Sequence, residues 1–138
     1  MKAKIVSVAL AGLFILGNVG MGFAGNKEIY KNIDKNEAEK TVTTEIFDGE
    51  SDANLRPLGK HTVRYSDDGN LIEKTNYKWD SEKGWIAQSK YDYYYDIAGN
   101  MSALEYVKWN EKENGWGKDS YLTMYIHTSE GELLTINE

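Results

Sequence analysis

Apolar and polar residues alternate with a period of two along most of this chain, in blocks of about ten residues. From Leu71 to Trp79, one set of alternate positions holds Leu71, Glu73, Thr75, Tyr77 and Trp79. The other set holds Ile72, Lys74, Asn76 and Lys78. From Met101 to Trp109 the sets recur as Met101, Ala103, Glu105, Val107 and Trp109 against Ser102, Leu104, Tyr106 and Lys108. Successive side chains of an extended backbone point to opposite faces, so each block predicts a β-strand. The tryptophan-bearing set is the candidate core face.

The blocks belong to a repeat. Residues 64–125 hold two thirty-residue copies, the first from Tyr65 to Tyr94 and the second from Tyr95 to Met124, and a third begins at Tyr125. Two kinds of turn punctuate them. One surrounds Gly69 and Gly99 in DDGN and AGN, with SEGE at Gly131 as a looser third version. Glycine enters positive φ without a Cβ clash, and Asp-Gly between alternating segments signals a hairpin. The other turn is KWDSEKGW and its counterpart KWNEKENGW, which sets Trp79 against Trp85 and Trp109 against Trp116 across two hairpin mouths.

Tyr91, Tyr93 and Tyr95 share the parity of Trp85 and are expected on its face. The second copy carries one extra loop residue before Trp116, which breaks that parity for Tyr121 and Tyr125. A one-residue slip sends every later side chain to the wrong face, so a bulge near Gly117 is expected to restore the register.

Ahead of the repeats, TVTTEIF (Thr41 to Phe47) is dense in β-branched residues and reads as a strand. Residues 27–40 admit a short helix or an edge strand around Ile29 to Ile33 followed by a polar turn, DKNEAE. The strand is preferred, because Thr41 to Phe47 needs a partner. Asp48 to Pro57 reads as a long loop and Leu58 to Tyr65 as the next strand. Phe47 stands where a repeat tryptophan would stand. The expectation is all-β: an antiparallel meander of about eight long strands in one coiled or curled sheet.

The first two dozen residues differ in kind. Lys2 and Lys4 precede an apolar run from Ile5 to Leu16, and Gly22 and Ala24 stand at the −3 and −1 positions of a cut after Ala24. That is the layout of a secretory signal peptide over 1–24, leaving 25–138 as one domain. The run is too short for a helix that spans a bilayer, so no membrane insertion is expected after cleavage. The location implied is periplasmic or secreted.

The net charge is −6, and −8 once Lys2 and Lys4 are removed. Such a domain repels phosphate backbones and anionic headgroups, which sets nucleic acid and membrane surfaces aside as partners. There are no cysteines, hence no disulfides and no lipid-modified cysteine at the cut.

The turn YSDDGNL at Tyr65 to Leu71, repeated as YDIAGNM at Tyr95 to Met101, resembles the tyrosine–aspartate repeat of Rhs-type proteins, which build β-hairpin strips. Leader, KW[DN]…GW hairpins and Y…GN turns together resemble a family of small secreted domains of unknown function from gut Bacteroidetes. That resemblance implies an all-β fold, a strand near Tyr30 and a Gram-negative envelope. It assigns no catalytic residues.

Candidate chemistry is sparse. His61 and His127 lie in different segments without partner motifs, and the acidic turns lack the ligand spacing of a calcium loop. Neither a metal nor a cofactor is expected. Glu73 and Glu105 sit one repeat apart and are the pair a glycan hydrolase would use. The aromatic residues are the better candidates. Tryptophan and tyrosine concentrate at recognition surfaces, which makes Trp79, Trp85, Trp109, Trp116 and Tyr93 a candidate platform for a glycan or a protein ligand. The same residues also clasp hairpins, and their placement at the hairpin mouths makes fold maintenance the preferred reading of them. The expected function is a non-enzymatic binding or interaction module of the envelope. The alternatives are a structural envelope protein acting through edge-strand pairing and a glycan hydrolase.

Overall fold

The computed structural model describes residues 27–128 and 132–136. The expected leader and its cleavage site lie outside them. Among the described residues eight strands follow in order: β1 (Glu28–Asn36), β2 (Thr41–Gly49), β3 (Arg56–Tyr65), β4 (Leu71–Asp80), β5 (Gly84–Tyr95), β6 (Met101–Asn110), β7 (Gly115–His127) and β8 (Leu133–Ile136). They form one antiparallel sheet in strict sequence order, unclosed, with β1 and β8 at its edges. Residues 27–40 take the strand reading. β1 runs on to Asn36, so the turn is only Glu37 to Lys40, and the loop after β2 shrinks to Glu50 through Leu55.

One end of the sheet carries the glycine turns. In the first, the Ser66 amide donates to Asn70 O (2.8 Å), and the Asn70 amide donates to Ser66 Oγ (3.1 Å). Asp96 and Asn100 repeat both bonds, and so do Thr128 and Glu132. A short side-chain oxygen at the first position thus closes all three turns. Gly69 and Gly99 sit at φ +81° and +85°, where a Cβ would be strained.

The other end carries the tryptophan hairpins. Asp80 Oδ1 accepts the amides of Glu82 and Lys83, and Asn110 Oδ1 accepts those of Lys112 and Glu113. Each tip then closes through a positive-φ residue, Gly84 or Asn114.

Bulges decide which side chains share a face. Tyr77 pairs with Ala87 but Asn76 pairs with Ser89, which leaves Gln88 as an extra residue in β5. From there on, the parity of β5 is reversed. Tyr91, Tyr93 and Tyr95 therefore lie on the face opposite Trp85, contrary to the expectation from spacing alone. In β7 the irregularity falls where it was expected, beside Gly117. It spans more than one residue, because Trp109 pairs with Trp116 while Val107 pairs with Ser120. Two extra residues leave parity unchanged, so Tyr121 is also opposite Trp116. Ile72 and Ser102 are extra residues too, and they carry Leu71 and Met101 off the tryptophan-bearing face.

The sheet thus has an indole face and a tyrosine face. The indole face holds Phe47, Tyr77 and all four tryptophans. Along its middle runs a row of threonines, with Thr43 and Thr62 hydrogen-bonded at 2.9 Å and Thr75 buried between strands. The tyrosine face holds Tyr91, Tyr106 and Tyr121 side by side, ring centroids 4.9 and 6.2 Å apart. Neither face is covered by a second layer among the described residues. Ala103 is the one apolar residue that reaches burial there, and no large side chain is fully buried. Stability therefore comes from the ladders and from side chains laid across neighbouring strands, each such pair contributing about 0.2–1 kcal/mol.

Curling adds to that cover. The Phe47 and Trp85 rings approach to 6.5 Å although β2 and β5 are three strands apart, about 14 Å in a flat sheet. The expected curl toward the tryptophan face is present at this end.

Candidate functional site

The tryptophans form two clasps. Trp79 and Trp85 are direct cross-strand partners with ring centroids 5.1 Å apart and planes at 75°. Trp109 and Trp116 repeat this at 5.0 Å and 86°. Within each clasp the two indoles have different surroundings. Trp85 meets Phe47 and has the Lys60 ammonium 6.0 Å from its ring, and Trp116 has the Lys90 ammonium at 5.7 Å. Those rings are engaged by the fold. Trp79 is 46% exposed.

Pairing between β5 and β6 begins only at Ser89 and Lys108. Beyond it, the tips of the two tryptophan hairpins splay apart. A cleft of about 370 Å³ opens between them, lined by Trp85, Ala87 and Trp109 together with Lys83, Glu111 and Asn114 of the tips. Lys78 and Glu111 form an ion pair that ties β4 to the second tip, and that contact holds the Glu111 carboxyl below its ordinary pKa. The backbone amides of Lys83 and Glu82 do the same for Asp80. Trp109 also borders a second hollow of about 570 Å³ over the β7 bulge, with Gly117, Asp119 and Tyr121. The site is therefore an aromatic wall with polar and charged groups at its rim. That combination suits a ligand with flat apolar faces and many hydroxyl or amide groups.

The structure thus brings four of the five candidate residues to one face and one end. Tyr93 is not with them. It lies on the tyrosine face, where burial pushes its hydroxyl pKa up. The residues that spacing alone did not single out are Lys83, Glu111 and Asn114, which reach the cleft because a hairpin tip projects its loop. The KWDSEKGW and KWNEKENGW loops, already marked as turns, carried that signal.

Glu73 and Glu105 are not direct neighbours. Glu73, Asp92 and Glu105 occupy consecutive strands in one row, with Asp92 between the other two. Glu73 is paired with Arg64 at 3.1 Å. Hydrogen bonds from Ser120 and Tyr94 lower the pKa of Glu105, which favours its ionised form. General-acid work needs a carboxyl held protonated, and the surroundings of Glu105 favour the opposite. His61 is depressed by burial and by Lys74 and Lys31 nearby, while His127 Nε2 is bonded to Met101 O at 3.0 Å. Among the described residues, no three acidic or histidine side chains gather to hold a metal.

The fold defines a single-layer antiparallel β-meander with aromatic clasps at one end. The chain belongs to DUF3836, a family of unknown function, whose profile matches residues 1–126. Its fold is similar to solved structures from Bacteroidetes. A DUF3836 family protein from Bacteroides vulgatus ATCC 8482 matches with TM-score 0.50 at 21% identity, over 68% of this chain and 96% of that one. One from Parabacteroides distasonis ATCC 8503 matches with TM-score 0.51 at 14% identity, over 80% and 91%. A protein of unknown function from Bacteroides fragilis NCTC 9343 matches with TM-score 0.54 at 16% identity, over 69% of each chain. These likenesses concern the fold. No protein of curated function matches the chain.

Proposed function

We propose that this chain is an exported, non-enzymatic binding module of the cell envelope that takes a glycan at the tryptophan end of its sheet. The observation that carries the reading is the exposed indole of Trp79, 46% in solvent, clasped to Trp85, which itself lines a cleft with Trp109. An indole left half in water on a disulfide-free sheet adds little to the fold and much to a stacking surface. Sugar rings offer an apolar face to such a surface, and their hydroxyls suit Lys83, Glu111 and Asn114 at the rim. Delivery to the periplasm or beyond rests on the leader over 1–24. A second reading, an envelope protein acting through its open strand edges, is favoured by the exposure of β1.

Titration of the protein with a panel of neutral and acidic oligosaccharides, read by tryptophan emission, tests the glycan reading. A saturable shift with at least one of them is expected. Emission unchanged across the whole panel would count against it.

A further inference from the structure

We propose that two copies of this chain join edge to edge through β1, antiparallel about a twofold axis at Asn32, so that their sheets continue into one. This goes beyond the glycan reading and does not depend on it.

The two edges of the sheet differ. β8 is four residues long, and a short edge strand offers little to pair with. β1 is nine residues long, contains no proline and pairs with β2 over nine positions without a register break. Every pairing from β2–β3 to β6–β7 carries such a break. Bulges twist an edge away from incoming strands, and β1 lacks that protection. Its large side chains Ile29 and Ile33 are 57% and 53% exposed.

The sequence of β1 chooses the partner. A twofold at Asn32 places Glu28 opposite Asn36, Ile29 opposite Lys35, Tyr30 opposite Asp34 and Lys31 opposite Ile33. No like charges face each other, and each lysine stem lies along an isoleucine with its ammonium free to reach water. A twofold at Lys31 sets that lysine against itself, and one at Ile33 sets Lys31 against Lys35. Charge thus selects one register for the full-length overlap. A twofold contact also closes on itself, so the product is a dimer and not a fibre.

Sedimentation velocity of the purified protein across a wide concentration range tests association. Ile33→Lys puts a lysine opposite Lys31 twice per dimer and is expected to weaken it about tenfold or more. Register is read separately with Asn32→Cys in a chain that has no other cysteine. Directly opposed residues lie about 4.5–5.5 Å apart at Cα, within disulfide reach. Asn32→Cys is expected to form disulfide dimers far faster than Ile97→Cys, placed in an exposed turn. A protein that stays monomeric throughout, leaving β1 to a strand of some other chain, overturns the proposal. So does crosslinking at Asn32→Cys no faster than at Ile97→Cys.

Discussion

Phe47 on β2 stands edge-on to Trp85 on β5, ring centroids 6.5 Å apart and planes at 70°, with two strands between them. That contact and the Trp79–Trp85 clasp meet on one indole, so Trp85 holds the curl and the hairpin together. Truncating it removes both. Trp85→Ala is expected to lower unfolding free energy by about 3 kcal/mol, near the bottom of the range for buried aromatic deletions. Phe47→Ala loses one of the two contacts and is expected to cost about 2 kcal/mol. Trp79→Ala, which removes a half-exposed ring, is expected to cost less than either. Urea unfolding of the three variants gives the order.

The β7 bulge makes a second prediction about space. A Cβ on Gly117 would lie 3.0 Å from the Lys108 carbonyl oxygen, a backbone atom that cannot swing away. Gly117→Ala is expected to destabilise by about 1–2 kcal/mol through overpacking. A Cβ on Gly59 in β3 meets nothing within 4 Å. Gly59→Ala is therefore expected to be neutral or to stabilise by about 0.5 kcal/mol, because it restricts the unfolded chain. Thermal unfolding of the two alanine variants side by side separates the cases.

Acid sensitivity should be visible at one carboxylate. The Arg56 guanidinium donates to both Asp48 oxygens, at 2.9 and 2.5 Å, and holds that carboxyl below its ordinary pKa. The unfolded chain then takes up the proton first as pH falls. The stability from this pair is full above the unfolded value of about 3.9 and is lost as pH drops through the lower folded value. Asp48→Asn is expected to be less stable than the parent at pH 7 and to lose less stability between about pH 5 and pH 2. A residual slope should remain, since Asp80, Asp96, Glu105 and Glu111 are also depressed. Chemical unfolding at several pH values measures it.

The order of strands, the glycine turns and both tryptophan clasps were legible in the sequence, because turns and clasps are local and the pairing is between neighbours. Faces were less legible. Trp85 and Tyr91 are six apart, which reads as one face, and only the pairing of Ala87 with Tyr77 and Ser89 with Asn76 exposes Gln88 as an extra residue. Comparing the two repeats gives the difference in extra residues between copies. It does not say how many each copy carries, and here the bulges insert one in β5 and two in β7. By spacing Tyr93 shares the face of Trp85, and for that reason it reads with the tryptophans although it lies on the opposite face. Lys83, Glu111 and Asn114 were hidden for another. A charged hairpin loop looks solvated until a splay between neighbouring hairpins turns it into the rim of a cleft.

The claim that Trp79 and Trp109 form a ligand surface is tested most directly by separating binding from folding. For an oligosaccharide that shifts the tryptophan emission, calorimetric titration of the parent and of Trp79→Ala is the measurement. Loss of a stacking indole predicts an affinity at least about tenfold weaker, with Trp79→Ala still folded by circular dichroism. Unchanged affinity in a folded Trp79→Ala variant would contradict the account and leave that indole to its clasp with Trp85.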